Sequence, residues 1–121
     1  MIVEDDIVTA RSLQMSLEKL GYIITTIVSS GEQAIQKLED GDSPDLVLMD
    51  ISLQGELDGI ETARILADRF NLTVIYLTSH DDKDVFEKAK TTNPYGYLTK
   101  PFTTDDLQKV VELGIYRLKT D

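Results

Sequence analysis

Residues 46–49 read Leu-Val-Leu-Met, an apolar run without polar alternation, and the run stops at Asp50. Ser43-Pro44 precedes it and Gly55 follows, so turn signals bound it on both sides. A short strand with no polar side is buried on both faces, and such strands belong to parallel sheets covered by helices. Ligands of open parallel sheets sit just outside the carboxyl ends of the strands. Asp50 therefore lies at the edge where chemistry is done. A single acid after a strand is more often a helix cap or a solvated turn residue. Asp50 gains meaning only from what the other strand ends carry.

The rest of the chain repeats one pattern. Met1-Ile2-Val3 is a short strand ending in Glu4-Asp5-Asp6, and Ala10, Leu13, Leu17 and Leu20 then recur at helical spacing until Gly21 stops them. Residues 22–28, rich in Ile, Thr and Val, predict a second strand. Ser29-Ser30-Gly31 opens a second helix with Ala34, Ile35 and Leu38 on its inner face. After the central strand comes a loop over 51–57. Asp58 is then placed as a helix cap, with Glu61 three residues on for a capping box. Ile60, Ala63, Ala67 and Phe70 form the buried stripe expected of that third helix. A fourth strand is predicted over 73–77, ending in Thr78-Ser79, and a short helix over 81–91. A fifth strand over 95–99 ends in Lys100-Pro101. The last helix, 104–118, carries Leu107, Val110, Val111, Ile115 and Leu118 on one face.

Five strand-then-helix units predict an α/β fold: a doubly wound parallel sheet joined by right-handed crossovers. Both the Rossmann order and the order 2-1-3-4-5 are open to such a chain, and five strands favour the second. A length of 121 residues suits one domain, 1–121, and a piece of a longer chain would read the same way. Apolar residues at 41% supply a core, and a net charge of -10 argues against nucleic acid or an anionic membrane as partner. The lack of cysteine excludes disulfides, thiol catalysis and cysteine-bound metal, and fits a reducing, cytoplasmic setting. No apolar stretch approaches the ~20 residues that span a bilayer.

Asp5, Asp50, Thr78 and Lys100 close four of the five predicted strands. In order 2-1-3-4-5 those four strands are neighbours, so two acids, a hydroxyl and an amine meet on one edge. Glu4, Asp5 and Asp50 would crowd three carboxylates together, which raises their pKa values unless a cation neutralises them. Oxygen ligands without His or Cys suit a hard ion such as Mg²⁺. Such an ion can screen a phosphoryl group, with Lys100 as a second positive charge and Thr78 as a donor. Taken singly, Lys100 reads as a salt-bridge partner of Asp50, and Thr78 as a β-branched strand end.

Five motifs in order resemble the receiver domain of two-component response regulators along essentially the whole chain. They are Ile-Val-Glu-Asp-Asp (2–6), Asp-Leu-Val-Leu-Met-Asp-Ile (45–51), Asp-Gly-Ile-Glu (58–61), Ile-Tyr-Leu-Thr-Ser (75–79) and Gly-Tyr-Leu-Thr-Lys-Pro-Phe (96–102). The resemblance implies a flavodoxin-like (βα)5 fold of order 2-1-3-4-5, the order for which receiver proteins serve as a general example. It implies a phosphorelay switch rather than an enzyme acting on other substrates, with Asp50 as phosphoacceptor. Glu4 and Asp5 fall on the Mg²⁺-holding acids, with Asp5 the direct ligand and Glu4 acting through water. The carbonyl of Ser52 falls on a third protein ligand. Thr78 falls on the switch hydroxyl, Lys100 on the phosphate-pairing lysine and Tyr97 on the aromatic switch residue. Lys100-Pro101 falls on a bond that is cis in the family. His80, two residues past Thr78, falls where the family tunes the lifetime of the phosphoryl group.

The implied partner is a sensor histidine kinase or phosphotransfer protein. The implied output face is helix four, strand five and helix five, open to a homodimer or a fused output domain. Two features depart from the family pattern. The segment from Asp50 to Gly59 is one residue longer than usual, and Gln54-Gly55 stands where Leu-Pro or Met-Pro is common. Two other functions compete. An aspartyl phosphatase needs a second acid near the nucleophile, but Ser52 stands two residues past Asp50. A flavodoxin-like cofactor carrier needs a Ser/Thr/Gly-rich loop after strand one, where this chain has acids.

Overall fold

The computed structural model of the protein describes residues 1–120, the side chain of His80 excepted. Its strands are β1 (Ile2–Val3), β2 (Ile27–Val28), β3 (Val47–Asp50), β4 (Val74–Thr78) and β5 (Gly96–Thr99). Its helices are α1 (Ile7–Lys19), α2 (Gly31–Glu39), α3 (Gly59–Phe70), α4 (Lys83–Lys90) and α5 (Thr104–Thr120). All pairings are parallel, in the order β2-β1-β3-β4-β5. The fold expected from the strand-helix alternation is the one observed.

Each central strand sends alternate residues to opposite faces, because side chains on a strand have a period of two. Val3, Val47, Met49, Val74 and Tyr76 face one way, onto Ala34 and Leu38 of α2, Ile60, Ala63 and Leu66 of α3, and Ala89 of α4. Ile2, Leu48, Ile75, Leu77 and Leu98 face the other way, onto Leu13 and Leu17 of α1 and Leu107 and Val111 of α5. Burial of each such Leu or Ile is worth roughly 1.5–3 kcal/mol. The two-sided burial of β3 follows from its continuous apolar run.

Local signals fix most helix starts. Asp6 caps α1 by accepting from the Val8 N–H, and Ser30 caps α2 by accepting from the Gln33 N–H. Asp58 and Glu61 form the expected capping box of α3, which ends at Asn71 with φ 55°.

Two predicted boundaries are corrected. The strand expected over 22–28 is laddered only at Ile27–Val28, because its one neighbour, β1, offers just two residues to pair. The helix expected from 81 begins at Lys83, after a 3₁₀ turn at His80–Asp82. Ala67, expected in the buried stripe of α3, is exposed, because the buried face turns through Ala63 to Leu66. Leu118, expected on the apolar face of α5, is 40% exposed.

Candidate functional site

The register places the polar strand ends side by side. Asp50 lies opposite Leu77, with the Ile51 N–H bonded to the Leu77 carbonyl at 3.1 Å. Thr78 lies opposite Thr99, and the Lys100 N–H reaches the Thr78 carbonyl at 2.7 Å. Glu4, just past β1, donates its N–H to Val28 at 3.0 Å. All three attachments are backbone ladder bonds, so the sheet itself aims the side chains.

Glu4, Asp5 and Asp50 come together: one carboxylate oxygen from each lies within 4.8 Å of the others. Glu4 is 2% exposed and Asp50 6%, whereas Asp5 is open to solvent. Lys100 enters the same cluster, with Nζ 2.7 Å from Glu4 Oε1 and 3.7 Å from Asp50 Oδ2. Glu4 Oε1 is fully buried and takes no hydrogen bond of ordinary geometry, so the ammonium is its compensation. Glu4 Oε2 accepts from the Asp6 N–H at 3.1 Å.

Burial pushes the Glu4 carboxyl up to about 7; the Lys100 ammonium opposes that rise and the neighbouring Asp50 adds to it. Desolvation pulls the Lys100 ammonium down, but the close pairing with Glu4 and the charges of Asp50 and Asp6 outweigh it and raise it overall. A site that stacks buried acids around one lysine is short of positive charge. The donor set is all oxygen, one oxygen is buried without a hydrogen bond, and the spread of 4.8 Å can be bridged by a small hydrated dication. These residues fit a hard metal ion.

The loop after β3 is held at four points. Ile51 and Leu53 are buried, the Gln54 N–H reaches Asp5 Oδ2 at 3.4 Å, and the Leu57 N–H reaches Glu32 Oε1 at 3.0 Å. Gly55 turns the chain at φ 116°, a conformation that glycine adopts without steric cost. Ser52 donates its N–H to Asp50 Oδ1 at 3.0 Å, which steadies the carboxylate. Gly59 has a stricter role: a Cβ there would stand 2.2 Å from the Asp50 carbonyl oxygen, so α3 backs directly onto the strand end.

Thr78 is buried at the end of β4, and its Oγ lies 3.5 Å from the Thr99 Oγ. Tyr97 stands apart from the acids. It is half-buried against Tyr76 at 6.0 Å and against Phe86 of α4 at 4.6 Å between ring centroids, and burial raises its hydroxyl pKa. The Lys100-Pro101 peptide bond is cis. The expectation for the His80 side chain lies outside the described residues.

Sequence reasoning missed Glu32 and Asp82. Asp82 bonds to both Ser52 and Ser79. Neither residue sits in a motif, and both act across loops distant in sequence; an acid at or before a helix start was the only signal. No described helix is long and apolar enough to cross a membrane.

A five-stranded doubly wound sheet with an acid cluster and a lysine at the carboxyl ends of β1, β3 and β5 defines a class of signalling domain. The chain belongs to the response regulator receiver domain family, which it matches over residues 1–112. It is 31% identical over 119 residues to the transcriptional regulatory protein PdtaR of Mycobacterium tuberculosis, covering 98% of this chain and 57% of that one. The chain thus spans little more than half the length of that relative. Among solved structures it is similar to the signal receiver domain of a modulated diguanylate cyclase from Desulfovibrio desulfuricans G20. That match has 43% identity and a TM-score of 0.90, covering 98% of this chain and 94% of the other. It is also similar to the N-terminal domain of a response regulator/sensory box/GGDEF 3-domain protein from Carboxydothermus hydrogenoformans. There the identity is 37% and the TM-score 0.87, over 99% and 97% of the two chains.

Proposed function

We propose that this receiver domain is a phosphorylation switch in which Asp50 is the acceptor. The observation that carries the reading is the placement of Lys100 Nζ 3.7 Å from Asp50 Oδ2 beside the other two acids. An Asp50 oxygen attacks the phosphorus of a phosphohistidine on a kinase or phosphotransfer protein. The P–O bond forms as the P–N bond breaks, and the imidazole leaves with a proton. Water later attacks the acyl phosphate and releases inorganic phosphate, regenerating the carboxylate.

Asp5, Asp50 and the Ser52 carbonyl would hold Mg²⁺, with Glu4 acting through water. Bound there, the ion neutralises phosphoryl oxygens and admits an anionic nucleophile. Lys100 would exchange part of its pairing with Glu4 for the new oxygens. Phosphorylation adds about -1.5 to -2 charge at this edge. Thr78 turns its hydroxyl from Thr99 toward that charge, drawing the loop after β4, and Tyr97 shifts against Phe86 of α4. The output face is then α4, β5 and α5, on which Leu113 and Tyr116 are 61% and 65% exposed, suited to a second copy or a fused output domain. The setting is the cytoplasm, where kinases of this class donate phosphoryl groups. Apart from its own phosphorylation and dephosphorylation the domain turns over no substrate.

Acetyl phosphate with Mg²⁺ should label the wild-type chain and leave Asp50→Asn unlabelled. Persistent stoichiometric labelling of Asp50→Asn would reject Asp50 as the acceptor.

A further inference from the structure

The carboxylate of Asp82 joins two loops that lie about thirty residues apart in the chain. Its Oδ1 accepts from the Ser52 hydroxyl. Its Oδ2 accepts from the Ser79 N–H at 2.7 Å and from the Ser79 hydroxyl at 3.1 Å. Ser52 also donates its N–H to Asp50 Oδ1, and Ser79 is the peptide neighbour of Thr78. A continuous path therefore runs from Asp50 through Ser52, Asp82 and Ser79 to Thr78, made of hydrogen bonds and covalent links. Hydrogen bonds to an ionised carboxylate are roughly twice as strong as neutral ones, so the bridge is not incidental.

A second observation concerns the same side chain. Asp82 occupies the N-cap position of α4, yet its carboxylate makes no bond to that helix. Capping is worth about 1 kcal/mol, and Asp is among the residues that do it best. Here the side chain turns back onto Ser79, where it closes the capping box of the 3₁₀ turn His80–Asp82, and gives no bond to the first turn of α4 itself. Ala89 is the one fully buried residue of α4, so the helix is lightly anchored.

We propose that Asp82 is a positioning residue that couples the charge at Asp50 to the placement of the loop 79–82 and the first turn of α4. This rests on the reading of Asp50 as phosphoacceptor. A phosphoryl group changes the oxygen that the Ser52 N–H faces and adds negative charge on the side of the bridge where Asp82 is itself an anion. Repulsion weakens the bond between Ser52 and Asp82. Ser79 is released from one anchored loop, and Thr78 can move with it. Asp82 is then free to cap α4. The bridge, made or broken, is the two-state element that the phosphoryl group biases.

The test uses beryllofluoride with Mg²⁺ as the phosphoryl mimic and amide hydrogen exchange over residues 79–90 as the readout. In the wild type the mimic should change exchange in that segment. In Asp82→Ala exchange over 79–84 should be about tenfold faster before the mimic is added, as expected for loss of a charged hydrogen bond, and should no longer respond to it. Ser52→Ala, an exposed substitution that keeps the backbone, should reproduce that loss of response. The double variant should add nothing further. A local role at the helix start would leave Ser52→Ala silent, and that outcome overturns the coupling. So does an Asp82→Ala protein that binds the mimic and responds as the wild type does; acetyl phosphate labelling of Asp50 would then still stand. Failure of the wild type to bind beryllofluoride would instead remove the acceptor reading, and the coupling with it.

Discussion

The two ends of this sheet are chemically opposite although β1 and β3 are only two and four residues long. At the amino ends, Leu17, Tyr22, Ile24, Leu46, Val111 and Ile115 surround a half-open apolar pocket of about 650 Å³. At the carboxyl ends, Glu4, Asp50 and Thr78 are buried polar groups, the two acids gathered around one lysine. Dispersion and water exclusion dominate at the first end, where the Met1 ammonium is held by the Leu46 carbonyl and burial lowers its pKa. The second end carries desolvated charge, which destabilises the fold unless it is paired. The helices repeat the contrast. α3, with a complete capping box and five buried residues, is fixed to the acceptor strand, whereas α4 buries one residue and lacks a side-chain cap. Charge is concentrated where a response is needed, and packing where none is.

Three substitutions bear on this contrast, from the largest expected effect to the smallest. Leu17→Ala, at the amino end, should lower the unfolding free energy by about 2–5 kcal/mol. The loss should be equal at pH 5 and pH 8 in urea denaturation; a strongly pH-dependent loss would break the separation of the two ends.

Glu4→Gln addresses the carboxyl end without bound metal. Burial raises the Glu4 carboxyl from its ordinary 4.5 to about 7, so the native state holds the proton longer than the unfolded state does. Stability conferred by that proton is present below pH 4.5 and lost as pH rises to about 7. The wild type should therefore lose stability relative to Glu4→Gln across that window, by at most about 1.4 kcal/mol per pH unit. A difference of the opposite sign would mean that Lys100 more than compensates the buried carboxylate.

Asp58→Ala should cost about 1 kcal/mol, the usual worth of an N-cap. The loss should appear as faster amide exchange in the first turn of α3 while α4 is unchanged. Equal loosening of both helices would show that the two are not held independently.

Much of this is legible in the sequence. The doubly wound parallel sheet followed from the alternation of elements, its order from the count of five strands and the family resemblance, and the capping box of α3 from Asp58 and Glu61 at a spacing of three. The cluster of Glu4, Asp5, Asp50 and Lys100 followed from four neighbouring parallel strands ending in polar residues. β2 was overextended because residues 22–28 have strand-forming composition, but ladder length is set by the partner strand. Asp82 and Glu32 went unseen because their partners, Ser52 and Leu57, lie in another loop, and no periodicity links them.

The order of residues alone determined which groups stand at strand ends, because a two-residue period and an apolar run are local properties of the chain. Only the folded packing decided how Lys100 divides itself between Glu4 and Asp50, and that Tyr97 lies against Phe86 of α4. It also decided that the Asp82 carboxylate turns away from its own helix to bridge two loops. Those outcomes depend on distances between side chains far apart in sequence, and on how far each is removed from water.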